Sequence, residues 1–379
     1  MDAAQNETRR APRDGAGLIV RILHCIPSMG GGGAERQLAY LAPHQQRNGL
    51  DVHVALLTGG PHLATLIDGG VTVHHVASRG NYDALVALRL LRITRRVRPD
   101  VVQTWMTQMD VFGGVAASIA GRPWIVCERS SEAAHPAILK NRLRVTLARK
   151  ARAIVSNSKG GDDYWRTRAG AKTLRRVIPN AVPFDAIDAV PPIDDGDDRP
   201  VILYVGRFSI EKNLPATIEA LRQTVAAVDA RIVLCGEGPL RDEVVAAVAA
   251  AGLTDRVLMP GFVSNVWSWM KRAAVLVAAG WFEGNPNAVL EAIACGCPVV
   301  VSDIPSHREL LDETSARFAG PESATEIAGA LIATLRDRDD AATRAARARK
   351  IIETRSIEAI AEQYTALYRE LTAPAEGAV

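Results

Sequence analysis

What most constrains this chain is a rhythm that runs twice. From Leu18 onward, short runs rich in Val, Ile and Leu alternate with amphipathic stretches: LIVRILHCIP, then AERQLAYLAPHQQRNG, then DVHVALLTGG. A strand buried on both faces reads as a continuous apolar run, and a helix covering it shows apolar residues every three or four positions. The alternation therefore predicts parallel strands joined by helices. It continues through VTVHHV, NYDALVALRLLRITRRVRP, DVVQTW, VFGGVAASIAG, PWIVCE, a basic helix over 141–150, AIVSNS and RRVIPNAV. PPIDDGDDRP interrupts it with the proline, glycine and charge of a linker, whose carboxylates are expected in solvent. The rhythm resumes with VILYVGR, NLPATIEALRQTVAAV, RIVLCGEG, LRDEVVAAVAAAG, RVLMPG, VWSWMKRA, VLVAAG and CPVVVSD before closing on helices.

A chain of 379 residues is too long for one ordinary core. The reading is an α/β protein of two doubly wound, Rossmann-like domains, residues 18–190 and 201–355, joined by a linker at 191–200 and followed by a C-terminal segment, 356–379. Residues 1–17 are polar, lack the apolar core of a secretory signal, and are read as a disordered lead-in. No apolar run approaches the roughly 18 residues that span a bilayer. Five cysteines scattered through apolar segments fit reduced thiols and a cytoplasmic location; Cys295 and Cys297 lack the second pair of ligands a closed metal site needs.

Charge is divided between the halves. Residues 1–190 carry 26 Lys+Arg against 15 Asp+Glu, and the remainder 19 against 27. A basic first half fits an anionic acceptor or the inner face of a membrane, with Arg89, Arg92, Arg95, Arg96, Arg142, Arg144, Arg149 and Lys150 as the contacts; ordinary solvated helices are the plainer reading. Nucleic acid is not expected as a partner, because aromatic residues are only 5% of the chain and do not interleave with the basic clusters.

In doubly wound sheets ligands sit beyond the carboxyl ends of the strands, which selects the candidate residues. Gly31, Gly32 and Gly33 follow the first strand and open a helix near Ala34, so their backbone N–H groups can approach an anion; a flexible hinge is the alternative. A dinucleotide fingerprint fails, since Arg36 stands where its third glycine belongs, and no Gly-Lys-Ser/Thr follows for a P-loop. Arg207 and Lys212 flank a turn after the first strand of the second half and can neutralise a diphosphate, unless they are ordinary surface cations.

Glu283 and Glu291 lie eight positions apart around Asn285-Pro286, which is read as an N-cap and first helical residue. Gly284 and Asn287 leave room for a ligand at that helix end. Two carboxylates flanking a positive helix terminus suit a molecule with hydroxyls at both ends and phosphate between, such as a nucleotide-sugar; surface acids are the alternative.

The segments GGGGAERQL, GRFSIEKN, CGEGPLRDEV, PGFVSNV and FEGNPNAVLEAIACGCPVVVSDIPSHREL resemble, in order and spacing, family 4 of the retaining glycosyltransferases, which have the GT-B fold. The resemblance runs from about residue 18, and the Glu, seven residues, Glu arrangement is its most specific element. It implies that Arg207 and Lys212 bind the donor diphosphate, that Glu283 with the Gly284–Asn287 amides holds the sugar, and that Glu291 holds the ribose. It further implies that Gly31–Gly33 reach the donor from the opposite domain, that the backbone at Phe262 and Val263 borders the base, and that the segment from Ser356 crosses back to the first domain.

Many members carry a histidine after the strand that here reads VVQTWMTQ; this chain has Trp105 there, and Gln108 at the histidine position of a WM-containing subgroup. CERSSE resembles a segment of members that assemble bacterial surface glycans, making Glu128 and Arg129 acceptor-side candidates with Trp105 and Gln108. The implied activity is transfer of a hexosyl or N-acetylhexosaminyl group, with retention, from a UDP-sugar or GDP-sugar to a lipid-linked or polysaccharide hydroxyl, with no metal or other cofactor. A catalytically impaired nucleotide-sugar-binding protein of the same fold is the alternative.

Overall fold

A computed structural model describes residues 19–81, 83–130 and 138–373. The lead-in at 1–17, Ser131 and Glu132 of CERSSE, and the tail beyond 373 lie outside the described residues.

The first domain holds strands β1 (Arg21–Ser28), β2 (Asp51–Thr58), β3 (Thr72–His75), β4 (Val101–Trp105), β5 (Trp124–Glu128), β6 (Ala153–Ser156) and β7 (Leu174–Val177). Between and after them run α1 (Gly33–Arg47), α2 (Leu63–Asp68), α3 (Leu85–Val97), α4 (Met106–Ile119), α5 (Leu139–Ala148), α6 (Lys159–Arg166) and α7 (Phe184–Asp188). The second domain holds β8 (Val201–Val205), β9 (Arg231–Cys235), β10 (Val257–Gly261), β11 (Val275–Ala278), β12 (Val299–Ser302) and β13 (Arg317–Ala319). Its helices are α8 (Leu214–Ala227), α9 (Arg241–Ala250), α10 (Val266–Arg272), α11 (Asn287–Ala294), α12 (Pro305–Arg308), α13 (Ala324–Arg336) and α14 (Arg338–Ile352). The chain then enters α15 (Ile357–Thr372).

The sheets have the orders β3-β2-β1-β4-β5-β6-β7 and β10-β9-β8-β11-β12-β13, with all strand pairs parallel. Both are the doubly wound sheets that the rhythm of the sequence predicts. In each, the order reverses once, between β1 and β4 and between β8 and β11, and the crevice at such a reversal is where a ligand can enter. The segments at the ends of those strands carry GGGG, WMTQ, GRFSIEKN and GWFEGNPN.

Each sheet is sandwiched by apolar side chains on both faces. One face of the first sheet is covered by a helix from the far end of the chain: Ile360, Tyr364, Leu367, Tyr368 and Leu371 of α15 are buried beside Ile22, Leu38 and Val101. Burying such side chains is worth about 1.5–3 kcal/mol each, which anchors the helix. Its start is fixed by Ser356, whose hydroxyl accepts from Ala359 N at 3.2 Å, and by Val182 N donating to Arg355 O at 2.8 Å where the two crossing segments meet.

Two local expectations change. The helix read from Val111 begins at Met106, which holds φ = 69°, so Gln108 lies in its first turn and Trp105 is its N-cap. The linker carboxylates are not all solvated: Asp195 pairs with Arg231 at 2.9 Å and Arg272 at 3.0 Å, because those side chains leave β9 and α10 beside it.

Candidate active site in the cleft between the domains

The turn after β8 is built to present a lysine. Residues Ile210–Lys212 form one 3-10 turn, and Asn213 takes a left-handed conformation (φ = 52°) that ends it and starts α8. The Asn213 amide donates to Ala279 O at 3.0 Å, and Trp281 N donates to Glu211 O at 2.9 Å. These bonds pin the loop after β11 to the turn after β8 and bring Lys212 Nζ into an ion pair with Glu283 Oε1, both side chains about a fifth to a quarter exposed. Arg207, exposed at the end of β8, makes no ion pair among the described residues. Behind the loop, buried His307 donates Nδ1–H to Ser302 O at 2.8 Å, while Ser302 Oγ donates to Gly280 O at 2.7 Å.

The helix after this loop starts one residue later than its Asn-Pro pair predicts. Pro286 is the N-cap and Asn287 the first residue of α11, because Asn285 faces the other domain: its Oδ1 accepts from Asn180 N at 3.3 Å. Glu291, in the second turn, is buried and bridges the domains. Its Oε2 accepts from Arg36 Nη1 at 2.6 Å and Trp267 Nε1 at 3.1 Å, and its Oε1 from Tyr40 Oη at 3.3 Å. Burial and the adjacent Glu291 push the Tyr40 phenol well above its ordinary pKa, so it stays a neutral donor.

Glycine permits the close approach of the domains. A Cβ on Gly33 would stand 2.7 Å from Asn287 Nδ2, which donates to Gly33 O at 3.2 Å, and one on Gly31 would stand 2.8 Å from the Phe262 ring. A Cβ on Gly284 would meet Arg129 O at 2.5 Å. Gly32 faces its own helix, next to Glu35. Phe262 is about half exposed in the cleft, and Val263 packs partly buried behind it.

The acceptor-side candidates sit differently. Trp105 is fully buried and donates Nε1–H to His24 Nδ1 at 3.2 Å. Gln108 is 7% exposed and donates to Asn81 O at 3.4 Å. Glu128 accepts from Arg144 Nη1 at 2.8 Å, Trp165 Nε1 at 3.1 Å and Ser130 N at 3.0 Å. Arg129 lies 4.3 Å over the Trp105 ring and donates to Asn180 Oδ1 at 3.0 Å and Tyr364 Oη at 2.8 Å. Glu128 and Arg129 are thus committed to internal partners. Arg144, read as part of a basic surface, is buried between Asp110 (2.6 Å) and Glu128, because both carboxylates end up beneath α5. Burial works against its charge, but those two carboxylates outweigh it and hold its pKa above the ordinary value. Among the described residues, no group of three or more His, Cys, Asp and Glu could hold a metal ion.

Sequence reasoning missed the residues that join the halves. Asn180, 2% exposed, donates to Asn285 O at 3.1 Å and Asn287 Oδ1 at 2.6 Å while accepting from Arg129. Gln37 pairs with both backbone groups of Ala181, at 3.0 and 2.7 Å. The sequence signal for them is the row Arg36, Gln37, Tyr40: polar residues on a helix face that a covering helix should bury.

Two doubly wound domains, with a lysine–glutamate pair, a helix N-terminus and a glycine loop converging on the cleft between them, define a protein of GT-B architecture. The sequence profile described as Glycosyltransferase Family 4 matches residues 31–186, and that of Glycosyl transferases group 1 matches 188–351. The chain belongs to this family of glycosyltransferases. It is 27% identical over 319 residues to an alpha-D-kanosaminyltransferase of Streptomyces kanamyceticus, covering 75% of this chain and 81% of that one. Over 155 residues it is 32% identical to an N-acetylgalactosamine-N,N'-diacetylbacillosaminyl-diphospho-undecaprenol 4-alpha-N-acetylgalactosaminyltransferase of Campylobacter jejuni, a match spanning 41% of this chain and 42% of that protein. The fold superposes with a TM-score of 0.82 on Anabaena HepE solved with UDP and glucose, at 21% identity over 93% of this chain and 100% of that one.

Proposed function

We propose that this glycosyltransferase moves a hexosyl or N-acetylhexosaminyl group from a UDP-sugar to a hydroxyl of a lipid-linked or polysaccharide acceptor, with retention and without a metal, in bacterial surface-glycan synthesis. The observation that carries the reading is the Lys212–Glu283 pair held in the loop that leads into α11, whose first residue, Asn287, meets the glycine loop of the other domain. When the glycosidic bond to phosphate breaks, negative charge grows on the leaving diphosphate. Lys212, Arg207 and the free amides at the start of α11 stabilise that charge without reorganising. Glu283 accepts hydrogen bonds from sugar hydroxyls, and Glu291 from the ribose. The departing phosphate takes the acceptor's proton on the face it leaves, so the anomeric configuration is kept.

The relatives named above support the class of donor and a diphosphate-linked lipid acceptor. The exposed Arg92, Arg95, Arg96 and Arg142, beside the exposed apolar side chains Leu85, Leu88, Leu139 and Leu143, supply a surface for anionic lipid around such an acceptor. No helix among the described residues is long and apolar enough to cross a membrane. Vesicles containing anionic lipid should sediment the protein at low salt and release it at high salt; binding indifferent to both salt and lipid charge would sink the membrane part.

The decisive experiment incubates the protein with UDP-sugars and GDP-sugars and a polyprenyl-diphosphate saccharide acceptor. Released nucleoside diphosphate and the anomeric configuration of the product are read by NMR. Transfer from a UDP-sugar with retention is expected. Saturable donor binding with neither transfer nor slow donor hydrolysis would instead identify a binding protein of the same fold.

A further inference from the structure

We infer that the nucleoside half of the donor site is composite: the first domain, through Arg36 on α1 and His62 at the start of α2, completes a pocket against the second, and Arg36 reaches through its wall to Glu291 of that domain. The inference rests on the donor reading above and assigns residues that reading does not use. A cleft of about 610 Å³ lies between the domains, lined by Arg36, Tyr40 and His62 on one side and Phe262, Ser264 and Trp267 on the other. Its size and its mixture of aromatic faces with a few polar groups suit a nucleoside.

Glu291 lies directly behind Arg36, Tyr40 and Trp267 of the cleft wall, with its two oxygens unequally engaged. Oε2 is clamped by Arg36 at 2.6 Å and Trp267 at 3.1 Å, whereas Oε1 has only the long contact to Tyr40 at 3.3 Å. A carboxylate oxygen carries two lone pairs, so Oε1 keeps capacity for a ribose hydroxyl while Oε2 fixes the plane of the group. Arg36 is therefore a positioning residue. It pairs with and orients a carboxylate of the other domain, and nucleotide binding becomes coupled to the docking of α1.

The second observation is independent of Glu291. His62 Nε2 is buried and has no hydrogen-bond partner among the described residues, while its backbone N–H is tied to Met29 O at 3.2 Å. A buried ring nitrogen left unpaired is costly, and a polar atom of a nucleoside in the cleft would satisfy it. In this arrangement His62 reads the nucleoside from the side opposite Phe262.

The test is calorimetric titration of the full chain and its variants with UDP, and with GDP in parallel, alongside donor kinetics. Arg36→Gln should weaken UDP binding about tenfold and His62→Ala about fivefold, raising KM while kcat stays within about twofold. Trp267→Phe removes the other donor to Oε2 and should act in the same direction, which keeps the test open if Arg36→Gln folds poorly. In a Glu291→Gln background the Arg36→Gln effect should vanish, since Arg36 acts through that carboxylate. Unchanged UDP affinity in both Arg36→Gln and His62→Ala overturns the inference and leaves the donor reading intact. The same holds if Arg36→Gln costs the full tenfold in the Glu291→Gln background. A parent protein that binds neither UDP nor GDP overturns both.

Discussion

The two crevices at the sheet reversals occupy the same place in the same topology and are built from opposite materials. Beyond β8 and β11 the polar groups are local and open to the cleft: Lys212 and Glu283 pair while still a fifth to a quarter exposed, and Arg207 reaches solvent. Beyond β1, β4 and β5 they are consumed internally. His24, Trp105, Glu128 and Arg144 are all buried, and their bonds run to Gln45, Asp110, Trp165 and each other. One crevice keeps its charge available for a ligand. The other spends it on rigidity, and α15 is part of what it holds, because Tyr368 Oη donates to Gln103 Oε1 at 2.5 Å and Arg129 donates to Tyr364.

The hardest way to break this contrast is to remove a charge from the buried crevice. Arg144→Met leaves Asp110 and Glu128 ionisable, out of water and without their shared cation. A buried pair broken on one side costs about 3–5 kcal/mol, and urea denaturation should show that loss directly. A midpoint within experimental error of the parent would mean that the network is wetter than its burial indicates.

In the open crevice the same kind of change should spare the fold and remove the chemistry. Lys212→Ala and Glu283→Gln are each expected to lower kcat by about 10²–10³-fold, the usual cost of losing a group that stabilises charge in a transition state. Denaturation midpoints should move little, since both side chains are partly solvated. If either variant unfolded as readily as Arg144→Met, the two crevices would not differ in the way described.

Much of this was legible in advance, for a physical reason. Parallel strands covered on both faces must be apolar throughout, so VILYV and RIVLC announce themselves, and the loops beyond them are then located by topology alone. The Glu283 and Glu291 spacing is equally local, being set within one loop and two helical turns. What could not be read is whatever depends on the other domain. Glu291 looks like a free ligand carboxylate in the sequence, yet Arg36 and Tyr40 approach it from some 250 residues away. Asn285 has the composition of an N-cap but is diverted to Asn180, so α11 starts later. Arg144 sits in a basic segment that patterns as surface; it turns inward because Asp110 and Glu128, from two other elements, lie beneath it. Local spacing carries local chemistry, and pairings across the chain are invisible to it.

Acid should separate the crevices next. Burial pushes the His24 imidazole down to about 4, so the folded protein holds it neutral while the unfolded chain, at the ordinary value of 6.5, takes up a proton. Stability contributed by the neutral form is present above about pH 6.5 and is lost as pH falls toward 4, by about 3 kcal/mol for the full difference. His74, half-buried and also lowered to about 4, adds a slope of the same sign. His24→Asn should therefore be less stable than the parent at pH 7 but lose less on acidification between pH 6.5 and 4.5. An unaltered slope in urea titrations would place the acid sensitivity elsewhere.

The smallest effect belongs to the rim of the cleft, where charge crosses the domains in solvent. Both carboxylate oxygens of Glu309 accept from Lys159 N at 3.0 Å, so an acid of the second domain caps the positive end of α6 in the first. A carboxylate at an exposed helix N-terminus is worth less than about 1 kcal/mol and is screened by salt. Glu309→Ala should shift the urea midpoint slightly at low ionic strength and not at all at high. Asn180→Ala gives the matching buried case: it removes hydrogen bonds to Asn285, Asn287 and Arg129 at once, and its effect should exceed that of Glu309→Ala and persist in salt. If the order were reversed, closure of the two domains would depend on rim electrostatics. The expected order instead makes it depend on the buried amides that Gly33 and Gly284 let come together.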